Sequence, residues 1–258
     1  MYVPSYEYPD RKVMNAEGRC FGGVPIGIIL FGVAGYTLPP GSVENATTFK
    51  YPVHFHAIPA ASITNVVQPT ANSEVLDQVI EAGKFLVGQG CRAIVGGCGY
   101  FANYLPQIKD AIDVPCIMSS VMQVPLIQNT ISSRKKVAII CANGEVMPKA
   151  KVLDNCGVDR SRIVIAGGVS SNIPEMTDEI LHDSGGYNPK KLEREMVALA
   201  ASMVKEDPSI GAFMLECTLY PAVSYAVQKE VRMPVFDFVT LIDWVYSGVV
   251  KHPYYGYI

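Results

Sequence analysis

The 258 residues contain neither a GxGxxG pattern nor a Walker motif, so nothing local announces a phosphate-cradling loop. No signature of a pyridoxal-lysine site is present. No apolar run approaches the roughly 20 residues of a membrane span. The start, MYVPSYEYPDRK, lacks the basic-then-apolar order of a secretion signal. A cytoplasmic protein with no membrane partner is the expectation. The Asn45-Ala46-Thr47 sequon carries little weight without a signal. Basic residues are scattered and the net charge is −3, which gives no electrostatic reason for a nucleic-acid partner. The run Arg134-Lys135-Lys136 leads into a strand and reads as a solvated edge. Seven cysteines form no CxxC pair and no regular framework, as in proteins whose thiols stay reduced. The four histidines supply no third ligand at metal-like spacing, so no metal is expected. His54 and His56 share one face of a strand, in core or cleft, and His182 and His252 read as surface residues.

With 49% hydrophobic residues the chain can bury a full core. Residues 1–22, rich in Tyr and Pro, read as an N-terminal arm. Ile26-Gly27-Ile28-Ile29-Leu30 is a continuous apolar run of the kind buried in parallel sheets. A Gly- and Pro-rich loop over 31–52 follows, of a length that is usually either functional or disordered. Val53–Ile58 alternates like a strand. The helical period through Val75, Leu76, Val79, Ile80 and Phe85 predicts a helix over 74–89. A helix is also predicted from about Phe101 to Ile112, a strand over 114–118, and a second buried strand over 136–141. Further expectations are a helix near 145–156 ending at Gly157, a strand over 162–166 and a helix from Asn188-Pro189 to about Lys205. The strand 211–215, a helix from Pro221 and a short strand 235–237 complete the pattern. Strands alternating with helices predict an α/β fold, read as two pseudo-symmetric doubly wound parallel-sheet lobes with a cleft between them. The expected division is 23–125 plus 222–258 for lobe 1, carrying Cys98, and 126–221 for lobe 2, carrying Cys217.

One pattern occurs twice. Ala93 and Ala212 each stand five residues before a cysteine, Cys98 and Cys217. Pro115 and Pro234 each stand seventeen after it. Ile94/Phe213, Val95/Met214, Phe101/Tyr220, Ile108/Val227, Ile112/Val231 and Val114/Met233 match in character at the same offset of 119. Both cysteines end strands, and ligands of such sheets sit beyond strand carboxyl ends. Two thiols facing one cleft suit a reaction that takes a proton from one side of a carbon and returns it to the other. A free thiol titrates near roughly 8.5. Each cysteine precedes a predicted helix N-terminus, so a downward shift is expected. The N–H groups of Gly99 and Thr218 would hold a carboxylate or a developing enolate. The bland reading of a cysteine at a strand end is a small buried hydrophobe; it fits Cys20, Cys91, Cys116 and Cys156, with Cys141 intermediate.

The segment Glu216-Cys217-Thr218-Leu219-Tyr220-Pro221 resembles the Cys-Thr-His-Tyr-Pro motif of the cofactor-independent aspartate/glutamate racemase superfamily. Gly97-Cys98-Gly99-Tyr100 falls where that family has its first catalytic cysteine. The resemblance covers Ile26 to Val245. It implies a two-lobe α/β fold, no cofactor and 1,1-proton transfer between Cys98 and Cys217, with Thr218 and Gly99 helping to bind the substrate carboxylate. It also places Asn143 at a position the family often uses for substrate contact. Family members are often dimers, and the Tyr-rich ends would suit a homodimer contact. Departures are Leu30-Phe31 in place of Asp-Ser, Gly99 in place of Asn, and Leu219 in place of His. The loop Pro40–Phe49 resembles one in a less characterised branch of the superfamily; from it Asn45, Thr47 and Thr48 reach the cleft or cap the loop from within. The expected activity is a racemase or epimerase of a small amino acid or related carboxylate. The alternatives are a maleate isomerase or arylmalonate decarboxylase-like enzyme in the same cleft, or a non-catalytic binding protein for a small ligand.

Overall fold

The computed structural model describes residues 21–32, 35, 36, 38–169 and 173–257. All but two residues of the expected N-terminal arm, Cys20 among them, lie outside these. The first lobe comprises β1 (Ile26–Phe31), β2 (Val53–Ile58), α1 (Ile63–Val66), α2 (Ser73–Gly88), β3 (Ala93–Gly96), α3 (Leu105–Ala111) and β4 (Cys116–Ile117). Helix α4 (Val124–Thr130) leads to β5 (Lys136–Cys141), α5 (Val152–Asn155), β6 (Ile163–Gly167), α6 (Pro189–Glu206), β7 (Ile210–Leu215), α7 (Ser224–Val231), β8 (Val235–Phe236) and α8 (Phe238–Val249). The strands form two four-stranded sheets, ordered β2-β1-β3-β4 and β6-β5-β7-β8. Every pairing is parallel. The central strands are apolar and lose all exposure, as at Ile28, Ile29, Ala138 and Ile140, because helices cover both faces of a parallel sheet.

The sequence repeat is a repeat of backbone contacts. Ile94 N–H donates to Pro115 O at 2.9 Å, and Phe213 N–H donates to Pro234 O at 2.9 Å. Gly97 N–H reaches Ile29 O at 2.7 Å and Glu216 N–H reaches Ile140 O at 2.8 Å. Phe101 N–H and Tyr220 N–H close turns onto Cys98 O and Cys217 O at 3.1 and 3.0 Å. All three pairs stand at the offset of 119 seen between donors in the sequence, so each half delivers its cysteine by the same backbone route.

Local chemistry explains the helix ends. Asn72 accepts from the N–H groups of Glu74 and Val75, and α2 buries Val75, Val79, Ala82 and Leu86. Asn188 caps α6 through Lys190 and Lys191, with Pro189 at the first helical position. The helix predicted from Phe101 begins instead with a 3-10 stretch, Gly99–Tyr104, before α3. The helix predicted near 145–156 is broken into a 3-10 turn, Met147–Lys149, and α5. The two are separated by extended backbone at Ala150; Pro148 suits a first turn but cannot donate within a continuous helix.

The chain crosses between lobes twice. Helix α4 follows the first sheet and packs against β5 of the second. Strand β8 pairs with β7, so residues 222–237, assigned in the expected division to the first lobe, stand with the second sheet. The helix after it, α8, returns: Phe238, Leu241, Ile242 and Val245 form a core with Ile26, Ile28, Val95 and Ile117 of the first sheet. Each such buried side chain contributes about 1.5–3 kcal/mol. No helix among the described residues is long and apolar enough to cross a membrane.

Candidate active site

Cys98 follows β3 and Cys217 follows β7, both at strand carboxyl ends. Both line one cleft of about 750 Å³, counted with its open mouth. Leu30 and Phe31 enter from the end of β1, Tyr36, Leu38 and Glu44 from the loop after it, and Ile63 and Val67 from α1 and its end. The second lobe contributes Ala142, Met176, Ile180 and Leu181, together with Glu216 and Thr218 beside Cys217. The loop after β1 is tied to the second lobe: Gly35 N–H donates to Asp183 Oδ1 at 3.0 Å, and Val43 N–H donates to Thr218 O at 3.0 Å. The Tyr36 ring meets Tyr187 edge-on at 6.0 Å.

Most of this lining is apolar, and among the described residues in it there is no Lys, Arg or His. Its charge is acidic. The Thr218 hydroxyl donates to Glu44 Oε1, while Glu44 Oε2 is buried without a hydrogen-bond partner. Glu216 accepts from Ala142 N–H through Oε2 at 3.2 Å, while its Oε1 is likewise buried and unbonded. Burial pushes both carboxyls up to about 7, because desolvation disfavours the charged form.

The thiols are raised, where the helix termini had suggested a lowering. Burial acts first and the Glu216 carboxyl second, at Cys98 and at Cys217 alike. The N–H of Tyr100 at Cys98, and those of Leu219 and Thr218 at Cys217, do pull the other way. The turn effect exists; desolvation and the neighbouring carboxyl outweigh it.

The other expected site residues are dispersed. Thr218 lines the cleft with its hydroxyl committed to Glu44. Gly99 lies behind the surface: a Cβ there would overlap Glu216 Oε1. Asn143 caps the next turn through Glu145 and Val146 N–H at 3.1 and 3.2 Å. It borders a shallower depression with Gln68 and His182, sharing Ile63, Val67 and Leu181 with the cleft. Its carbonyl accepts from the Tyr100 hydroxyl at 2.9 Å. Asn45 accepts from the Thr47 N–H and hydroxyl and donates to Leu38 O, and Thr48 joins Gly41 and Ser42; these three brace the loop from within. His54 and His56 contact Phe85 at 6.2 and 4.8 Å, on α2 rather than in the cleft. Cys91, Cys116, Cys141 and Cys156 are buried; Cys141 gives its S–H to Ala166 O at 3.3 Å. No three His, Cys, Asp or Glu among the described residues group as metal ligands.

Sequence reasoning passed over Glu44, Glu216, Tyr36 and Tyr100. Glu216 did leave a signal: an acid closing a fully apolar strand beside a cysteine is a residue type rarely buried without a partner.

No family model matches the chain. Among curated proteins it is 29% identical over 232 residues to dimethylsulfoniopropionate lyase 7 of Emiliania huxleyi (strain CCMP1516), covering 86% of this chain and 67% of that one. Dimethylsulfoniopropionate lyase 3 of the same strain is 28% identical over 258 residues, covering 96% and 64%. The dimethylsulfoniopropionate lyase of Durusdinium sp. clade D is 26% identical over 220 residues, covering 84% and 72%. The chain thus spans about two thirds of the length of these relatives. Among solved structures, glutamate racemase RacE1 from Bacillus anthracis aligns with a TM-score of 0.54 at 16% identity, covering 87% of this chain and 82% of that one. Allantoin racemase from Pseudomonas fluorescens gives 0.56 at 12%, covering 88% and 90%. Unliganded arylmalonate decarboxylase gives 0.52 at 13%, covering 90% and 94%. The fold is the two-lobed α/β fold of the aspartate/glutamate racemase-like proteins, while the sequence relatives are lyases.

Proposed function

We propose that the protein is an enzyme that removes the proton beside the carboxylate of a small substrate carrying a cationic group, and that it eliminates that group. Dimethylsulfoniopropionate fits this description. A thiolate, Cys98 or Cys217, takes a proton from the carbon next to the carboxylate. The C–H electron pair becomes the second bond of the alkene, the neighbouring C–S bond breaks, and its pair leaves with sulfur as dimethyl sulfide; acrylate remains. One base suffices, and the leaving group departs neutral. The observation that carries the reading is the acidic cleft: Glu44 and Glu216 each offer a buried, unbonded oxygen, and no cation lines the wall beside them. A sulfonium would neutralise this field. Dianionic malonates and maleate would add to it, which disfavours the decarboxylase and isomerase alternatives.

A second reading is racemisation. The matched backbone that delivers both thiols favours it, and an ammonium group would serve as the cation. One experiment separates the two. The protein is incubated in D2O with dimethylsulfoniopropionate and with L- and D-amino acids, and headspace dimethyl sulfide and α-deuterium are measured. Dimethyl sulfide release supports elimination. Deuterium incorporation with inversion supports racemisation. Binding without either would leave a ligand-binding protein and sink both.

A further inference from the structure

The Glu216 carboxyl stands between the two thiol-bearing segments. Its backbone directly precedes Cys217. Its side chain crosses to the other half, where Oε1 fills the space a Cβ on Gly99 would need, and Gly99 directly follows Cys98. The bond from Ala142 N–H to Oε2 fixes its orientation. The residue is 1% exposed, and Oε1 has neither solvent nor partner. Buried polar atoms are almost always bonded, so an exception calls for a role. At the equivalent place in the first half, Gly97 has no side chain to offer.

We propose that Glu216 is a positioning residue shared by both thiols, accepting the proton that Cys98 or Cys217 gives up when its sulfur becomes the base. The proposal rests on the reading of those thiols as proton carriers. Sending a thiol proton to solvent would place a second negative charge beside the carboxylate, which burial and like-charge repulsion both oppose. Moving it from Sγ to Oε1, through a contact that the substrate-free cleft does not make, breaks one S–H bond, makes one O–H bond and leaves a single negative charge in the cleft. The thiolate then takes the carbon proton and is a thiol again. The O–H proton passes to solvent as products leave, so the cycle closes with one proton released. The ionisable groups under the Glu216 field are Cys98 and Tyr100 after β3, Cys141 at the end of β5, Cys156 after α5, and Cys217 and Tyr220 on its own segment. None is a cation, so nothing else there holds the carboxylate's charge.

The test is Glu216→Gln, which keeps the acceptor for Ala142 N–H and loses the proton site. Iodoacetamide alkylation of each cysteine, followed by mass spectrometry against pH in the substrate-free protein, reads the thiolate directly. Loss of the charge is expected to move the midpoints of both Cys98 and Cys217 down by about one pH unit or more. The kcat should nevertheless fall by about 10²-fold, because the proton has lost its acceptor, and KM for a cationic substrate should rise as well, because the cleft has lost one of its two negative charges. A shift at one cysteine only, or at neither, overturns the sharing. More reactive thiols with undiminished kcat overturn the proton transfer. If the wild-type protein turns over no candidate substrate, the functional reading and the proton transfer fall together, while the alkylation midpoints still decide whether both thiols share the carboxylate. Glu216→Ala serves the same comparison should the Gln variant not fold.

Discussion

Around Cys98 the chain places Gly97, Gly99 and Tyr100; around Cys217, at the same three offsets, it places Glu216, Thr218 and Leu219. The backbone contacts of the two segments match within 0.1 Å in each hydrogen-bonded pair, yet the side chains differ at every one of these positions. Shared backbone brings two sulfurs to one cleft. Unshared side chains make the charge unequal: the Glu216 carboxyl stands between the two segments, and the Thr218–Glu44 pair adds a second carboxyl beside Cys217 alone. Under the proposed reading such a site would hold a charged substrate one way round, and its two thiols would not be interchangeable.

That inequality carries the largest expected effect. In an elimination, Cys98→Ala and Cys217→Ala should differ: the variant lacking the base loses about 10²–10⁴-fold in kcat/KM for dimethyl sulfide release, and the other loses far less. Equal collapse of both would erase the functional difference between the halves and favour racemisation.

The next effect concerns the cation. Glu44→Gln keeps an oxygen for the Thr218 hydroxyl and removes the charge. A lost interaction with a charged group costs about 1.5–3 kcal/mol, so KM for a sulfonium substrate should rise roughly tenfold to a hundredfold. The same substitution should weaken the dependence of binding on pH. In the wild-type protein, binding should strengthen as pH rises through about 7, where Glu44 and Glu216 ionise. A KM that ignores both the substitution and pH would break the assignment of charge to the Cys217 side.

The halves were legible in the sequence because equal spacing is a property of the chain: the offset between Cys98 and Cys217, with flanking Ala and Pro, survives without coordinates. Strand positions were legible for the same reason, since 26–30, 137–141 and 211–215 are apolar runs with no helical period. The acidic cluster was not, because Glu44 meets Thr218 across 174 residues and spacing says nothing about such a meeting. Asn45, Thr47 and Thr48 were attractive as polar residues in a long loop, but a loop has its own backbone to satisfy and these side chains do that. Strand β8 was assigned to the first lobe because nothing in a two-residue strand states which sheet it joins.

Stability offers a smaller and substrate-free contrast. Glu216 rises from 4.5 to about 7 on folding, so between those values the folded protein binds more protons than the unfolded chain. Stability on this account falls as pH climbs through the window, and the cost is fully present above about 7. At 1.36 kcal/mol per unit it amounts to about 3 kcal/mol. Glu216→Gln should therefore match the wild type in urea unfolding near pH 4.5 and exceed it near pH 8.5. An equal difference at both pH values would mean that the carboxyl is not held in a dry site.

Gly99 should show the smallest effect and the most local one. Its counterpart Thr218 carries a side chain freely, whereas a methyl at Gly99 would collide with the Glu216 carboxyl. Overpacking of this kind costs about 1–3 kcal/mol, so Gly99→Ala should destabilise the protein by that order. With Glu216→Ala alongside, the collision is gone and the penalty of Gly99→Ala should vanish, leaving a coupling energy of similar size in a double-mutant cycle. Additive effects would mean that the glycine answers to backbone geometry. Coupling would mean that the absent side chain in one half is the space taken by the charged one in the other.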